Sequence, residues 1–256
     1  MSSSVIKREE FRSKINGNSA LLIPCLNEGS RLISQVQKLE REIGDQIYLI
    51  IIDGDSSDGS IEKVIAMKPK ILRCILISKA KLGLSFDLYS GLNYLSKEYD
   101  YVLTLDGNGK DDLSRLMDML DFAKNNRLDF VQGSRFVKNG SSENLPMDRL
   151  LGIKLFLSPI VSIYSRKYFS DPSNQCRVLS ANALEIITKV NPTEFKRYDY
   201  FFFIPIKLSR SKLLTAEFPV KRSYPKNGPT PTHIRRSAYA KLAIDLIRMG
   251  LRWRKY

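Results

Sequence analysis

One pattern recurs through the first half of the chain and leaves few folds open to it. A short apolar, β-branched run ends in a tip of acids, glycines or basic residues, and a stretch with helical spacing usually follows. Residues 19–24 end in Cys25-Leu26-Asn27-Glu28-Gly29, and residues 47–52 in Asp53-Gly54-Asp55-Ser56-Ser57-Asp58-Gly59-Ser60. Residues 73–78 end in Lys79-Ala80-Lys81-Leu82-Gly83, residues 101–105 in Asp106-Gly107-Asn108-Gly109-Lys110-Asp111-Asp112, and residues 129–132 in Gly133-Ser134-Arg135. Short apolar runs bounded by turn residues read as buried strands. Between them, residues 31–43 place Leu32, Val36, Leu39 and Ile43 on one helical face. Further helices are expected up to Met67, over 84–97 and over 113–124. Strands alternating with helices imply parallel βαβ units, so the expected class is α/β, a mostly parallel central sheet flanked by helices. Ligands of such sheets gather beyond the carboxyl ends of the strands, which is where the five tips fall.

The second half is less regular. Residues 138–144 read as a polar loop, and residues 149–169 as an apolar stretch with scattered basic residues. Residues 181–189 and 198–209 have helical character, with Pro205 expected to kink the second. Residues 216–220 form the last expected strand, and Pro219 assigns it to a sheet edge. Three prolines and a glycine make 224–232 a loop. The organisation expected is a polar lead-in over 1–18, one domain over 19–232, and a basic amphipathic helix over 233–256. In that helix Tyr239, Leu242, Leu246, Met249 and Trp253 share one face, and Lys241, Asp245, Arg248 and Arg252 another. Two readings stay open for it: a helix lying in a membrane interface, or a surface helix packed on its own domain.

Charge narrows the partners. The net charge is +14, and residues 221–256 hold ten Lys or Arg against one acid, Asp245. A local basic block points to phospholipid, nucleic acid or a phosphorylated substrate. The basic residues lack the interleaved aromatics of a nucleic-acid motif, so no nucleic-acid partner is expected, and a nucleic-acid-binding protein stays a remote alternative. Three dispersed cysteines give no zinc or redox spacing and suit a reducing compartment. His233 is the sole histidine, which removes histidine-based metal sites and triads from consideration. The charged stretch 7–14 is no signal core, and no run approaches the roughly 20 apolar residues of a membrane span. A cytoplasmic protein, peripheral at the inner face of the membrane, is therefore expected.

The tips carry the chemistry. Asp106 and Asn108, two apart after a strand, suit a hard divalent cation, Mg²⁺ or Mn²⁺, of the kind that shares its oxygen ligands with a substrate phosphate. Asp53 to Asp58 alternates acids as a calcium loop does. Gly59 comes one residue late for that loop, and a strand precedes in place of a helix. Nucleotide recognition by Asp53 and Asp55 is the functional reading; a solvated turn, with Asp58 or Ser57 capping the next helix, is the alternative. Neither a dinucleotide glycine fingerprint nor a phosphate-loop lysine is present, which argues against a dehydrogenase or an ordinary ATPase.

The order of five motifs adds a resemblance. Ile23-Pro24-Cys25-Leu26-Asn27-Glu28, the Ile52 to Ser60 tip, Lys79 to Leu84, Leu105-Asp106-Gly107-Asn108-Gly109 and Val131-Gln132-Gly133-Ser134-Arg135-Phe136 follow one another as in glycosyltransferase family 2. The branch resembled is that of the dolichyl- and polyprenyl-phosphate sugar synthases, in their bacterial surface-polysaccharide form. Asp171 to Arg177 is similar to that branch's later Asp-containing loop. The resemblance covers about residues 19–232. It implies a Rossmann-like GT-A fold and an inverting, metal-assisted transfer from a UDP- or GDP-linked sugar to a lipid phosphate at an anionic membrane surface. It places Pro24, Asn27, Glu28, Asp53, Asp55 and Lys81 at the nucleotide sugar, and Asp106 with Asn108 at the metal and diphosphate. Two departures stand out. Asn108 replaces the family's usual second aspartate, and Lys110 stands where the branch often has glutamine. Both weaken a metal site, so metal dependence stays open, with Lys110 able to supply part of the charge. A lipid-phosphate acceptor is already an anion and needs cations to hold it: Arg135, Arg149 and Arg222. A sugar-hydroxyl acceptor would instead need a carboxylate base, Asp199 or Asp171.

Overall fold

The computed structural model describes residues 6–11, 18–78, 82–226, 244–248 and 250 of the chain. Four parallel strands form the centre of an eight-stranded sheet: β2 (Ser19–Cys25), β3 (Tyr48–Asp53), β4 (Leu72–Ser78) and β5 (Tyr101–Thr104). Their order is β4-β3-β2-β5, and Cys25 pairs with Asp53 in register, so the tips after β2 and β3 lie side by side. Alternate residues of a strand face opposite sides. Leu22, Ile50, Ile52 and Leu76 pack on one side with Leu88 and Leu92 of α3 (Leu84–Leu95). Leu21, Ile23, Leu49 and Ile51 pack on the other with α1 (Ser30–Ile43), α2 (Ser60–Met67) and α4 (Leu116–Asn125). Both faces are thus covered, which is why the strands read as continuous apolar runs and not as alternating ones. Gly91 lets α3 approach closely: a Cβ there would lie 2.8 Å from Leu22 Cδ2.

Four more strands complete this sheet. β1 (Ile6–Glu10), inside the expected polar lead-in, pairs antiparallel with β4. β6 (Phe130–Ser134) does not pair with β5 directly. β8 (Arg177–Ser180) lies between the two, antiparallel to both. β9 (Thr215–Pro219) pairs with β6 alone among the described strands, at the edge that Pro219 implied. A separate parallel ribbon joins β7 (Ser141–Glu143) to β10 (Lys221–Ser223).

The α3 face is completed by α5 (Met147–Gly152), a π-helical turn (Ile153–Leu157), α6 (Ser158–Ser165), α7 (Ala181–Thr188) and α8 (Asp199–Arg210). Pro205 sits inside α8 and cannot donate to the carbonyl of Phe201, four residues earlier. The buried Arg177 takes that carbonyl at 2.8 Å, and also bonds Gln132 Oε1 at 3.0 Å and the Pro172 carbonyl at 3.1 Å. Burial pulls its guanidinium pKa down to about 9. Of the C-terminal amphipathic stretch, residues 244–248 and 250 are described: Leu246 is buried, Ile244 and Ile247 are exposed, and the Ile247 carbonyl accepts from the Tyr164 hydroxyl at 3.2 Å. These residues pack on the domain; the rest of the stretch expected as a helix lies outside the described residues. No helix among them is long and apolar enough to cross a membrane.

Candidate active site

The carboxyl ends of β2 and β5, the start of α3, the π-helical turn and α8 enclose a cleft of about 500 Å³. The sheet contributes Pro24, Glu28, Asp106, Asn108 and Lys110 to its lining; α5 contributes Arg149, and α8 contributes Phe201.

At the β2–β3 end, two tips are laced together. Asn27 adopts φ +53°, its Oδ1 accepts from Ser57 N at 2.8 Å, and its own N–H donates to Ser56 Oγ at 2.8 Å. Asp58 receives Gly29 N at 2.7 Å and Ser60 N at 3.0 Å. Burial opposes its charge, but these bonds and the Ser60 hydroxyl hold its carboxyl below the ordinary range. Asp53 is buried and accepts from Ser56 N at 2.9 Å and Ser56 Oγ at 2.5 Å, with Cys25 Sγ at 3.6 Å. Of the residues expected at the nucleotide, Pro24, Glu28 and Asp106 line the cleft, whereas Asn27, Asp53 and Asp55 do not and shape its end from behind. Lys81 lies outside the described residues. Asp87, which the sequence reading passed over, lines the cleft beside this end: its Oδ2 lies 3.1 Å from where a Cβ on Gly54 would be. Burial, with a smaller push from Asp53, raises its carboxyl to about 6, although the Ser78 hydroxyl pulls the other way.

At the β5 end, Gln35 of α1 holds the tip. Its Nε2 donates to the Asp106 carbonyl and its Oε1 accepts from Gly109 N, both at 2.8 Å. Gly109 supplies φ +70°, a left-handed conformation that favours glycine. Asp106 and Asn108 converge on one point, as two ligands of one cation must. In this structure that point holds Arg222: its Nη2 donates to Asp106 Oδ2 and lies 3.4 Å from Asn108 Oδ1. Its Nε lies 3.6 Å from Asp111 Oδ1. Burial opposes ionisation of Asp106, yet Arg222 and Lys110 hold its carboxyl below the ordinary range. Burial and Arg222 bring Lys110 down to about 7.

The acceptor-side arginines differ in what they bond. Arg135 lines the cleft, but its fork is committed to Asp171: Nε to Oδ2 at 2.6 Å and Nη2 to Oδ1 at 2.8 Å. Nη1 donates to the Tyr224 hydroxyl at 2.5 Å and Nη2 also to Ser173 Oγ at 3.0 Å. An arginine so satisfied positions the wall and has little left for a phosphate. Arg222 likewise serves Asp106 in place of an acceptor. Arg149 lines the cleft, half-buried, over the Tyr224 ring. Of the two carboxylates considered as bases, Asp171 is fully buried in its ion pair and held below the usual range, chiefly by Arg135 overcoming burial. Asp199 does not line the cleft; its Oδ2 accepts from Lys196 N at 3.1 Å. Gln35 and Asp87 were visible as polar residues on otherwise apolar helix faces; Tyr224 gave no such signal.

An acidic strand tip, a laced pair of loops and a cationic cleft at the edge of a doubly covered α/β sheet define a GT-A glycosyltransferase arrangement. The chain belongs to glycosyl transferase family 2, whose family model matches residues 20–185. A UDP-N-acetylglucosamine–dolichyl-phosphate N-acetylglucosaminyltransferase of Methanococcus voltae is 25% identical over 233 residues, 80% of this chain and 85% of the relative. Among solved structures, glucosyl-3-phosphoglycerate synthase of Mycobacterium tuberculosis, in complex with Mn²⁺, UDP and glucosyl-3-phosphoglycerate, superposes with a TM-score of 0.63 at 13% identity, over 91% of this chain and 80% of that one. Mannosyl-3-phosphoglycerate synthase of Rubrobacter xylanophilus gives 0.64 at 13% identity, over 92% of this chain and 73% of that one. These two likenesses speak for the GT-A fold.

Proposed function

We propose that this glycosyltransferase moves a sugar from a UDP- or GDP-linked donor to a polyprenyl or dolichyl phosphate. The observation that carries the acceptor class is the inventory of the cleft. Arg149, Arg197 and Lys110 line it; of the carboxylates, Glu28 is paired with Arg31 and Asp106 with Arg222, Asp87 lies at the nucleotide end, and Asp171 and Asp199 are tied up or off the cleft. A phosphate acceptor is already a nucleophile and needs cations to orient it, not a base. The dolichyl-phosphate relative supports the same choice. Pro24, Glu28 and Asp87 would then bound the nucleoside, and Asp106, Asn108 and Lys110 face the diphosphate. Two oxygen donors suit a Mg²⁺ or Mn²⁺ that takes further ligands from the diphosphate, where it would stabilise charge on the leaving group.

The α5–α6 segment supports a lipid-borne acceptor. Arg149, Ile153 and Leu157 line the cleft in steps of four. Met147, Leu151 and Leu155, also in steps of four but offset by two, are exposed, Leu155 at 62%. Residues offset by two lie on opposite sides of a helix. One side of this segment thus faces the cleft while the other offers apolar side chains beside Lys154, as an interfacial helix on an anionic, inner membrane face would. The deciding experiment follows nucleoside diphosphate release from UDP- and GDP-sugars with a polyprenyl phosphate, the matching alcohol, or a free sugar. Release only with the phosphate supports the proposal; release with a free sugar and none with the phosphate refutes it.

A further inference from the structure

The pair Asp106 and Asn108 has an occupant that the sequence assigned elsewhere. Arg222 Nη2 lies between Asp106 Oδ2 and Asn108 Oδ1. A Mg²⁺ or Mn²⁺ bound to both oxygens, at roughly 2.0–2.2 Å, would occupy the volume this nitrogen fills. Burial opposes the charge of Arg222, yet Asp111 and Asp106 outweigh burial and hold the guanidinium charged, so it cannot yield by deprotonation. From this geometry we infer that Arg222 is a built-in competitor of the divalent cation, holding the pair as a resident counter-ion and setting how strongly this enzyme binds metal. The inference rests on the reading above that these side chains face the donor diphosphate.

Three observations make the arginine hard to displace. Its backbone is fastened on both sides: Ser223 N donates to the Lys110 carbonyl at 2.9 Å and Asp112 N to the Lys221 carbonyl at 3.0 Å. The residue is 3% exposed, so its side chain has little open water to swing into. Behind it lies Asp111, buried, with neither carboxylate oxygen hydrogen-bonded among the described residues and Arg222 Nε at 3.6 Å as an ion-pair partner. Withdrawing Arg222 would leave Asp111 a buried charge without its counter-ion, which is strongly destabilising. A metal entering beside the retained arginine would meet a positive charge a few ångströms away, with Lys110 lining the same part of the cleft. Arg222 and Lys110 are then the positive groups that a bound diphosphate meets first.

The test is direct Mn²⁺ binding, read from the loss of the free-ion electron paramagnetic resonance signal, without nucleotide. Arg222→Gln should bind Mn²⁺ at least about tenfold more tightly than the wild type, because a unit charge next to the ion is gone. Adding Asp106→Asn to that variant should cancel the gain. Equal affinity of wild type and a folded Arg222→Gln overturns the inference. Should that variant not fold, the wild type alone decides: tight stoichiometric Mn²⁺ binding in the absence of nucleotide overturns the competition, and weak binding supports it. A parallel thermal-shift measurement with UDP and GDP in excess chelator separates the two readings. Failure of either nucleotide to bind under any condition strikes the donor assignment, whereas the Mn²⁺ comparison still decides the role of Arg222.

Discussion

Replacing Asp87 by Asn should make the protein more stable at alkaline pH and leave it nearly unchanged at acid pH. Asp87 is 6% exposed in the first turn of α3, and its Oδ1 has no hydrogen-bond partner among the described residues. Burial, helped by the charge of Asp53 and opposed by Ser78, raises its carboxyl from 3.8 to about 6. The native state therefore holds this proton more tightly than the unfolded chain. Its contribution is complete below the unfolded value near 3.8 and is lost as pH rises through about 6. At about 1.4 kcal/mol per pH unit the loss comes to about 3 kcal/mol. The positive end of α3 returns about 0.3–1 kcal/mol to the ionised form, so burial wins and about 2 kcal/mol remains. Urea unfolding at about pH 4.5 and about pH 8 measures this, since the slope reports exposed surface and the midpoint the stability. The variant's advantage should grow by about 1 kcal/mol between the two, because part of the loss already falls between 3.8 and the lower pH. A wild-type-to-variant difference that does not change with pH would refute the argument.

Arg177→Met should destabilise the fold by about 1–3 kcal/mol in chemical denaturation, because the Phe201 carbonyl that Pro205 leaves unused would be buried without a donor. Arg135→Lys should lower the melting temperature by several degrees in a thermal scan: an ammonium cannot bond both Asp171 oxygens, Ser173 and the Tyr224 hydroxyl together. Leu151→Glu with Leu155→Glu should abolish co-sedimentation with anionic liposomes while leaving the UDP or GDP thermal shift in place; unchanged sedimentation would return these side chains to an ordinary surface role.

The central strands were legible because burial on both faces leaves no alternation to misread. Their tips were legible because the acids and glycines sit outside the apolar runs. β8 escaped notice: it is four residues long and opens with an arginine whose partners come from Gln132, Pro172 and Phe201. β1, with Lys-Arg-Glu-Glu after its isoleucine, reads as polar chain, and only its pairing with β4 makes it a strand. The β7–β10 ribbon carries no apolar run at all. The same limit applied to the arginines. A local reading shows a guanidinium near an acidic tip, but not that Asp171, 36 residues on, has taken Arg135, or that Arg222, 116 residues on, has reached Asp106. Side-chain pairing across such separations is a property of the folded chain.

In the proposed reaction Asp106 faces the diphosphate of an activated sugar. Asp106→Ala, assayed for nucleoside diphosphate release with nucleotide sugar and polyprenyl phosphate and checked for an intact fold by its melting curve, puts that to the test. The account predicts a folded protein whose release falls to background; release close to the wild-type rate would contradict it.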